Sequence, residues 1–348
     1  MLFFRTFYVI FAKKNEFDMV QTVKSKKKIL FLINPKSGVG SKNRLPGMIE
    51  KFIDSGKYDY SITYTQYAGH ACELAVEAAA NKVDVVVAVG GDGTINEVAR
   101  SIVHTDTALG VVPCGSGNGF ARHLGVPMSL RKALEFINRA EPVVIDYGKI
   151  NDKPFFCACG VGFDALVSND FAKGGRRGMM SYVQKTLVDW VTYKPEEYEV
   201  EIDSVKRTFK AFVIACGNAS QYGNNAYIAP FASMRDGMLS VSVLAPFTTL
   251  NVPILAAQLF NNTLDKNRHM TTFAARKVKI KRKAAGAVHY DGEPSVMEAE
   301  LNIEIVPDGL RVLALPGWDG TCRPVPILRQ VYDIVSGVLP TLPVLGRK

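Results

Sequence analysis

The chain has 348 residues, beyond the roughly 100–200 residues of one ordinary domain, so its length predicts two domains. With 47% hydrophobic and 22% charged residues it can bury a sizeable core, which excludes a disordered chain and a repeat array. Forty-two Lys and Arg against 33 Asp and Glu give a formal charge of +9, which suits phosphate-bearing substrates, anionic membranes or nucleic acid without choosing among them.

In chain order, MLFFRTFYVIFAKKNEFDM comes first. Its apolar stretch is interrupted by Arg5, falls short of the ~20 residues that span a bilayer, and lacks a signal peptide's charge order and cleavage site. Met19 offers a second start, so residues 1–25 read as an over-long gene start or an extension that touches a membrane. From Lys28 short apolar runs alternate with amphipathic stretches. Strands are predicted at 29–34, 60–66, 84–91 and 108–115, and helices at 43–56, 69–82 and 94–104, followed by helical NGFARHL and SLRKALEFINRA. This alternation predicts an α/β domain with a doubly wound parallel sheet, whose ligands sit beyond the carboxyl ends of the strands.

Between Ala140 and Asp146 the pattern changes to short alternating strands with turn signals, broken by helical stretches at 164–172, 179–192 and 249–261. It predicts a mostly antiparallel β-sandwich over 144–316 after an α/β domain over 26–143, with 317–348 a tail that packs back on the first domain. The six cysteines are scattered in apolar or glycine-rich settings, which reads as buried, reduced thiols and a cytoplasmic protein.

Three predicted strands run into glycine-rich loops: NPKSGVGS, GGDGTINE and PCGSGNGFAR. In a parallel sheet they emerge at one edge, where backbone N–H groups converge on an anion and a helix N-terminus adds positive charge. Glycine lets a phosphate approach the backbone, and the hydroxyls of Ser37, Thr94 and Ser116 add hydrogen bonds. Each loop alone reads more often as a tight strand-to-helix turn; the set of three predicts a nucleotide site. No GxxxxGK[ST] follows the first strand, and NPKSGVGS does not fit GxGxxG, so the cradle is of another type.

These residues resemble the diacylglycerol kinase catalytic-domain family, which includes bacterial lipid kinases and sphingosine kinases. The resemblance runs from about Lys28 to Pro316 and rests on Asn34-Pro35-Lys36-Ser37-Gly38, Thr65 with Gly69-His70-Ala71, Gly90 to Glu97 and Pro113 to Arg122. It continues through Gly160 to Ala165, Ile228-Ala229-Pro230 with Asp236-Gly237, and Asp291-Gly292-Glu293. It implies phosphorylation of a lipid hydroxyl by ATP with Mg²⁺, at a cleft between a nucleotide-binding domain and a β-sandwich. ATP would be held by Asn34, Pro35, Lys36, Ser37, Gly38, Thr65, Gly90, Gly91, Asp92, Gly93, Thr94, Asn96, Glu97, Gly115, Ser116 and Asn118. Asp291 or Glu293 would accept the hydroxyl proton, and Asp92 would orient the magnesium through water. A further bound magnesium is placed on Asp236, with Ser233 and the carbonyl of Met238. Many bacterial members carry N-D-F-A-R where this chain has Asn118-Gly119-Phe120-Ala121-Arg122, which leaves the lipid open between diacylglycerol-like and sphingoid classes.

Asp291-Gly292 also reads as a hairpin turn, and both readings can hold. Lys277, Lys279, Lys281 and Lys283 share one strand face, either solvated or facing anionic lipid headgroups, in a patch that Lys24, Lys26, Lys27, Lys28, Arg176 and Arg177 would extend. No nucleic-acid motif accompanies the charge. His70, His123 and His289 read as hydrogen-bonding residues, and Trp190 and Trp318 as packing. The helices at 164–172 and 179–192 read as core or as the wall of a lipid slot. The expected partners are ATP and a lipid, met from the cytoplasmic face of the membrane, with a homodimer as a further expectation. The rival functions are an NAD or sugar-phosphate kinase, which also uses a GGDG turn, and a non-catalytic nucleotide-regulated membrane binder.

Overall fold

The computed structural model describes residues 25–37, 44–173 and 193–326. Expectations for residues 1–24, Gly38, the 179–192 helix, Arg176, Arg177, Trp190 and the tail beyond 326 lie outside them.

The α/β domain forms as its periodicity predicts. Strands β1 (Lys27–Ile33), β2 (Tyr58–Tyr64), β3 (Val85–Gly90) and β4 (Ala108–Pro113) alternate with helices α1 (Leu45–Phe52), α2 (His70–Ala80) and α3 (Asp92–Ile102). Two more helices follow, α4 (Gly119–His123) and α5 (Leu130–Arg139). The strands are parallel in the order β2-β1-β3-β4. All six residues of β3 and of β4 are buried, because a parallel sheet covered by helices on both faces has no wet side. The order reverses between β1 and β3, and the crevice at that switch point opens at the carboxyl ends of the strands.

The second domain is the predicted antiparallel sandwich. Strands β7 (Ala158–Gly162), β10 (Val213–Gly217), β11 (Leu239–Leu244), β12 (Met270–Ala275), β14 (Gly286–Tyr290) and β15 (Glu293–Met297) form one antiparallel sheet. Facing it are β5 (Glu141–Ile150), β6 (Lys153–Phe155), β8 (Glu196–Ile202), β9 (Val205–Ala211), β13 (Lys277–Lys281) and β16 (Glu300–Ala314). The core between the two sheets holds Ile150, Val161, Val200, Ile214, Val241, Ile280 and Leu301. Helices α6 (Phe163–Lys173) and α7 (Val252–Phe260) lie in this domain, α7 after a 3₁₀ turn at Thr249–Asn251.

The two domains share a sheet. The first part of β16 pairs antiparallel with β13, and after a bulge between Val306 and Leu310 its last part pairs parallel with β4 (Arg311 opposite Ala108, Val312 opposite Leu109). Strand β5 runs antiparallel along most of β16, so a boundary drawn at 143 falls inside a strand. The result is one ten-stranded sheet with parallel character at one end and antiparallel at the other.

Candidate active site at the domain junction

The loops after β1, β3 and β4 do emerge together, and they hold one another. Asn34 Nδ2 donates to Thr94 Oγ1 at 3.0 Å, tying the NPKS loop to α3, while Asn34 Oδ1 accepts from Lys36 N at 2.9 Å. Glu97, one turn further along α3, accepts from Gly69 N at 3.1 Å and fixes the start of α2. Thr65 N donates to Ile33 O at 2.9 Å, which seats Thr65 beside the end of β1. Asn118, in the left-handed region at φ 53, closes its own loop with bonds to Gly115 N and O. Pro35, Lys36, Gly93 and Ser116 remain exposed on the rim.

Two of the glycines are also required by packing within and between the loops. A Cβ on Gly115 would stand 2.7 Å from Gly91 Cα, and one on Gly90 would stand 2.6 Å from Thr94 Cβ. Close approach of these backbone and side-chain atoms requires them. Gly93 is the open one: the nearest atom to its Cβ position is Glu293 Oε1 at 3.9 Å. Helix α3 begins at Asp92, so the N–H groups of its first turn face this opening.

Asp92 has a structural task in the loop that follows β4. Its Oδ2 accepts from Asn118 N at 2.8 Å and its Oδ1 from Gly119 N at 2.9 Å. Burial pushes this carboxyl up while the two amides and nearby Arg122 pull it down. Asp92 thereby clamps the loop that follows β4. A Cβ on Gly119 would stand 2.9 Å from Tyr222 O, so the aspartate common at this position has no room here without a shift of that backbone.

Asp291 and Gly292 form the β14–β15 turn with φ 50 and 80, the positive pair that a two-residue hairpin of type I′ demands. The turn backbone is partly exposed, but the Asp291 carboxylate is enclosed by four donors. Oδ1 accepts from Cys157 N at 2.7 Å and Ala158 N at 3.2 Å; Oδ2 accepts from Phe156 N and Asn96 Nδ2, both at 2.8 Å. Burial raises its pKa to about 6 against the pull of these donors. Asn96 belongs to the first domain, so this carboxylate joins the two. Glu293 is different. It is half-buried and faces the start of α3; burial, helped by the charge of Glu97, lifts its pKa above the usual carboxylate value against the pull of nearby Arg100.

Two features carry no assigned role in the sequence reading. Asp164, at the head of α6, accepts from Tyr222 Oη at 2.6 Å and is 2.9 Å from His289 Nε2; Gly160 leaves the space both need. Asp146 accepts from Gly237 N and Asp308 N at 2.8 and 2.9 Å. Its signal was a lone carboxylate in the apolar strand VVIDYGKI. The histidines do act as hydrogen-bonding residues. His123 Nδ1 accepts from Ser220 N at 3.0 Å, His123 Nε2 lies 2.9 Å from Gly320 O, and His70 Nδ1 accepts from Gln66 N at 3.1 Å.

Ser233, Asp236 and Met238 sit in a turn apart from these loops. Asp236 accepts from Met238 N at 3.0 Å; burial and the neighbouring charge of Asp146 raise its pKa. The donors there are carboxylate, hydroxyl and carbonyl oxygens, the hard ligands that Mg²⁺ takes together with water. Among the described residues no three His, Cys, Asp or Glu side chains gather into a metal site, so an ion in either place would depend on waters or on substrate phosphates. Three lysines of the β13 stripe meet carboxylates within their own sheet: Lys279 and Lys281 share Glu300 at 2.9 and 3.1 Å, and Lys277 meets Glu304 at 3.8 Å. All six cysteines are free.

The family model for the diacylglycerol kinase catalytic domain matches residues 28–150, and that for the YegS C-terminal NAD kinase beta sandwich-like domain matches residues 157–314. A probable lipid kinase YegS-like protein of Citrobacter koseri is 30% identical over 290 residues, 79% of this chain and 93% of that protein. The chain belongs to this lipid kinase family. A diacylglycerol kinase of Bacillus subtilis is 29% identical over 273 residues, 77% of this chain and 90% of its own. The crystal structure of a diacylglycerol kinase from Bacillus anthracis shares the fold, with a TM-score of 0.67 at 22% identity over 84% of this chain and 99% of that one. In lipid kinase terms, the first matched region supplies the glycine loops and the second supplies Asp291 and Glu293.

Proposed function

We propose that this lipid kinase transfers the γ-phosphate of ATP to the hydroxyl of a diacylglycerol-like or sphingoid lipid, working with Mg²⁺ from the cytoplasmic face of a membrane. The observation that supports it is the placement of Glu293 opposite the exposed Gly93 at the first turn of α3, with the glycine loops alongside. The triphosphate lies across the loops after β1, β3 and β4, where first-turn amides of α3 point at it. Glu293 takes the proton of the lipid hydroxyl as its oxygen bonds to the γ-phosphorus and the bond to the β-phosphate oxygen breaks, releasing ADP. A pKa raised by burial suits Glu293 to that task. Asp291, its acceptor positions filled by four donors, sets the hairpin that aims Glu293 and fastens it to Asn96. Mg²⁺, when bound, offsets the charge of the phosphates. Residues suited to hold it are Glu97 at the loops and Asp236 with Ser233 and Met238 in the second domain.

The test incubates the full chain with isotopically labelled ATP, Mg²⁺ and a total lipid extract, then reads the lipids by mass spectrometry. A labelled lipid phosphate is expected, and its fragmentation names the acceptor. Label in NADP from added NAD, with none in lipid, would overturn the proposal.

A further inference from the structure

We infer that helix α7 and the turn before it form the face by which this protein sits in a lipid bilayer. The inference rests on the lipid-kinase reading for its purpose but on separate observations for its location. Between Asp236 and Asp265 the sequence has no Asp, Glu, Lys, Arg or His. Only Leu255 of α7 is fully buried, against the cluster of Phe212, Ile228, Ala232 and Leu264. On the outer side Leu250 is 90% exposed, Ile254 53% and Phe260 38%, with Pro253 and Ala257 exposed between them. Positions 250, 253, 254, 257 and 260 follow helical spacing, so they form one stripe. A contiguous apolar stripe facing water is what an interfacial helix shows, and the absence of any charge removes the desolvation cost of entering the headgroup region.

Charge complementarity chooses the bilayer. The uncharged segment ends at Asp265, and exposed Lys266 and Arg268 follow it, leaving this edge net positive, as a helix seated beneath anionic headgroups requires. The lysines of β13, the sequence-level candidate for such contact, are held by Glu300 and Glu304. The location also serves the reaction. Helix α7 packs on an aromatic layer of Phe163, Phe212, Tyr222 and Phe247, and Tyr222 bonds Asp164, which contacts His289 on β14, the strand that leads into the Asp291 turn. The bilayer face is thus one aromatic layer from the hairpin that carries Glu293.

The probe is Leu250→Trp in the full chain, read as the fluorescence difference from wild type with vesicles of phosphatidylcholine alone or with phosphatidylglycerol. Anionic vesicles are expected to shift the new emission to the blue, and brominated lipids to quench it. No shift overturns the inference. Emission already blue and unquenchable without vesicles also overturns it, because the face is then covered by the chain itself or by a second copy. Ile254→Asp should weaken sedimentation with anionic vesicles about tenfold, while phosphorylation of a short-chain, water-soluble lipid continues as in wild type. Failure to phosphorylate any lipid in detergent would sink the kinase reading alone, since the fluorescence does not depend on turnover.

Discussion

Glu293 and Asp291 stand two residues apart and are set to opposite tasks by their surroundings, so their conservative substitutions should separate. Glu293→Gln keeps the hydrogen-bonding shape but cannot take a proton; kcat is expected to fall by about 10²–10⁴-fold with KM for ATP little changed. Steady-state kinetics check this, and an unchanged kcat would remove Glu293 as the base. Asp291→Asn turns an acceptor-only group into one that presents an NH₂ to N–H donors already in place. About 1–3 kcal/mol of stability should be lost. Its pH signature is specific. Because the folded pKa is raised to about 6 from 3.8, the charged form is penalised in the folded protein. That penalty is complete above about pH 6 and relieved as pH falls towards 3.8, so this group makes wild type gain stability with falling pH across that window. Urea denaturation at a series of pH values should show this contribution missing from Asp291→Asn.

At the scale of elements, the β14–β15 hairpin is the part whose geometry matters most. Gly292 at φ 80 has nothing within 4 Å of its Cβ position, so Gly292→Ala meets no clash and acts through backbone strain alone. About 1–2 kcal/mol is expected, with kcat lowered more than KM because the turn aims Glu293. Denaturation and kinetics on one preparation would check both. This element was legible in the sequence, since Asp-Gly between alternating strands is a local signal. So were the three glycine loops, because strand, turn and helix follow within a few residues. The tasks of Asp92 and Asp164 were not. Asp92 bonds residues 26 and 27 positions away and Asp164 meets His289 125 positions away, distances at which strand and helix periodicity carry no information. The lysine stripe of β13 was legible as a stripe, but its pairing with Glu300 and Glu304 required knowing that β16 lies alongside.

For the whole molecule, the decisive element is β16, which belongs to both domains. A sheet that continues from β2 to β9 through it leaves no seam at which one domain can melt alone. Calorimetry of the full chain should show one cooperative transition, not two. Residues 28–150 expressed alone lack the neighbour of β4 and β5 and should give no sigmoidal thermal melt; a cooperative melt of that fragment would show that the first domain is autonomous. The two-domain pattern of the sequence was correct in kind, but no local feature marks ELNIEIVPDGLRVLA as a strand that changes partners half-way. Its bulge, with Asp308 at φ 51, is where it does so.

The order of synthesis gives the shared strand a further meaning. Strand β4 leaves the ribosome early, and the residues it pairs with, Arg311 and Val312, leave near the end. The intervening roughly 200 residues take ~10–40 s to make at ordinary elongation rates. Throughout that interval the nascent first sheet has a bare, fully apolar margin, the kind of edge that recruits foreign strands. A premature stop between Pro113 and Glu300 would therefore do more than delete the end of the protein: it would leave the first-made half permanently in that nascent state, a substrate for chaperones and proteases.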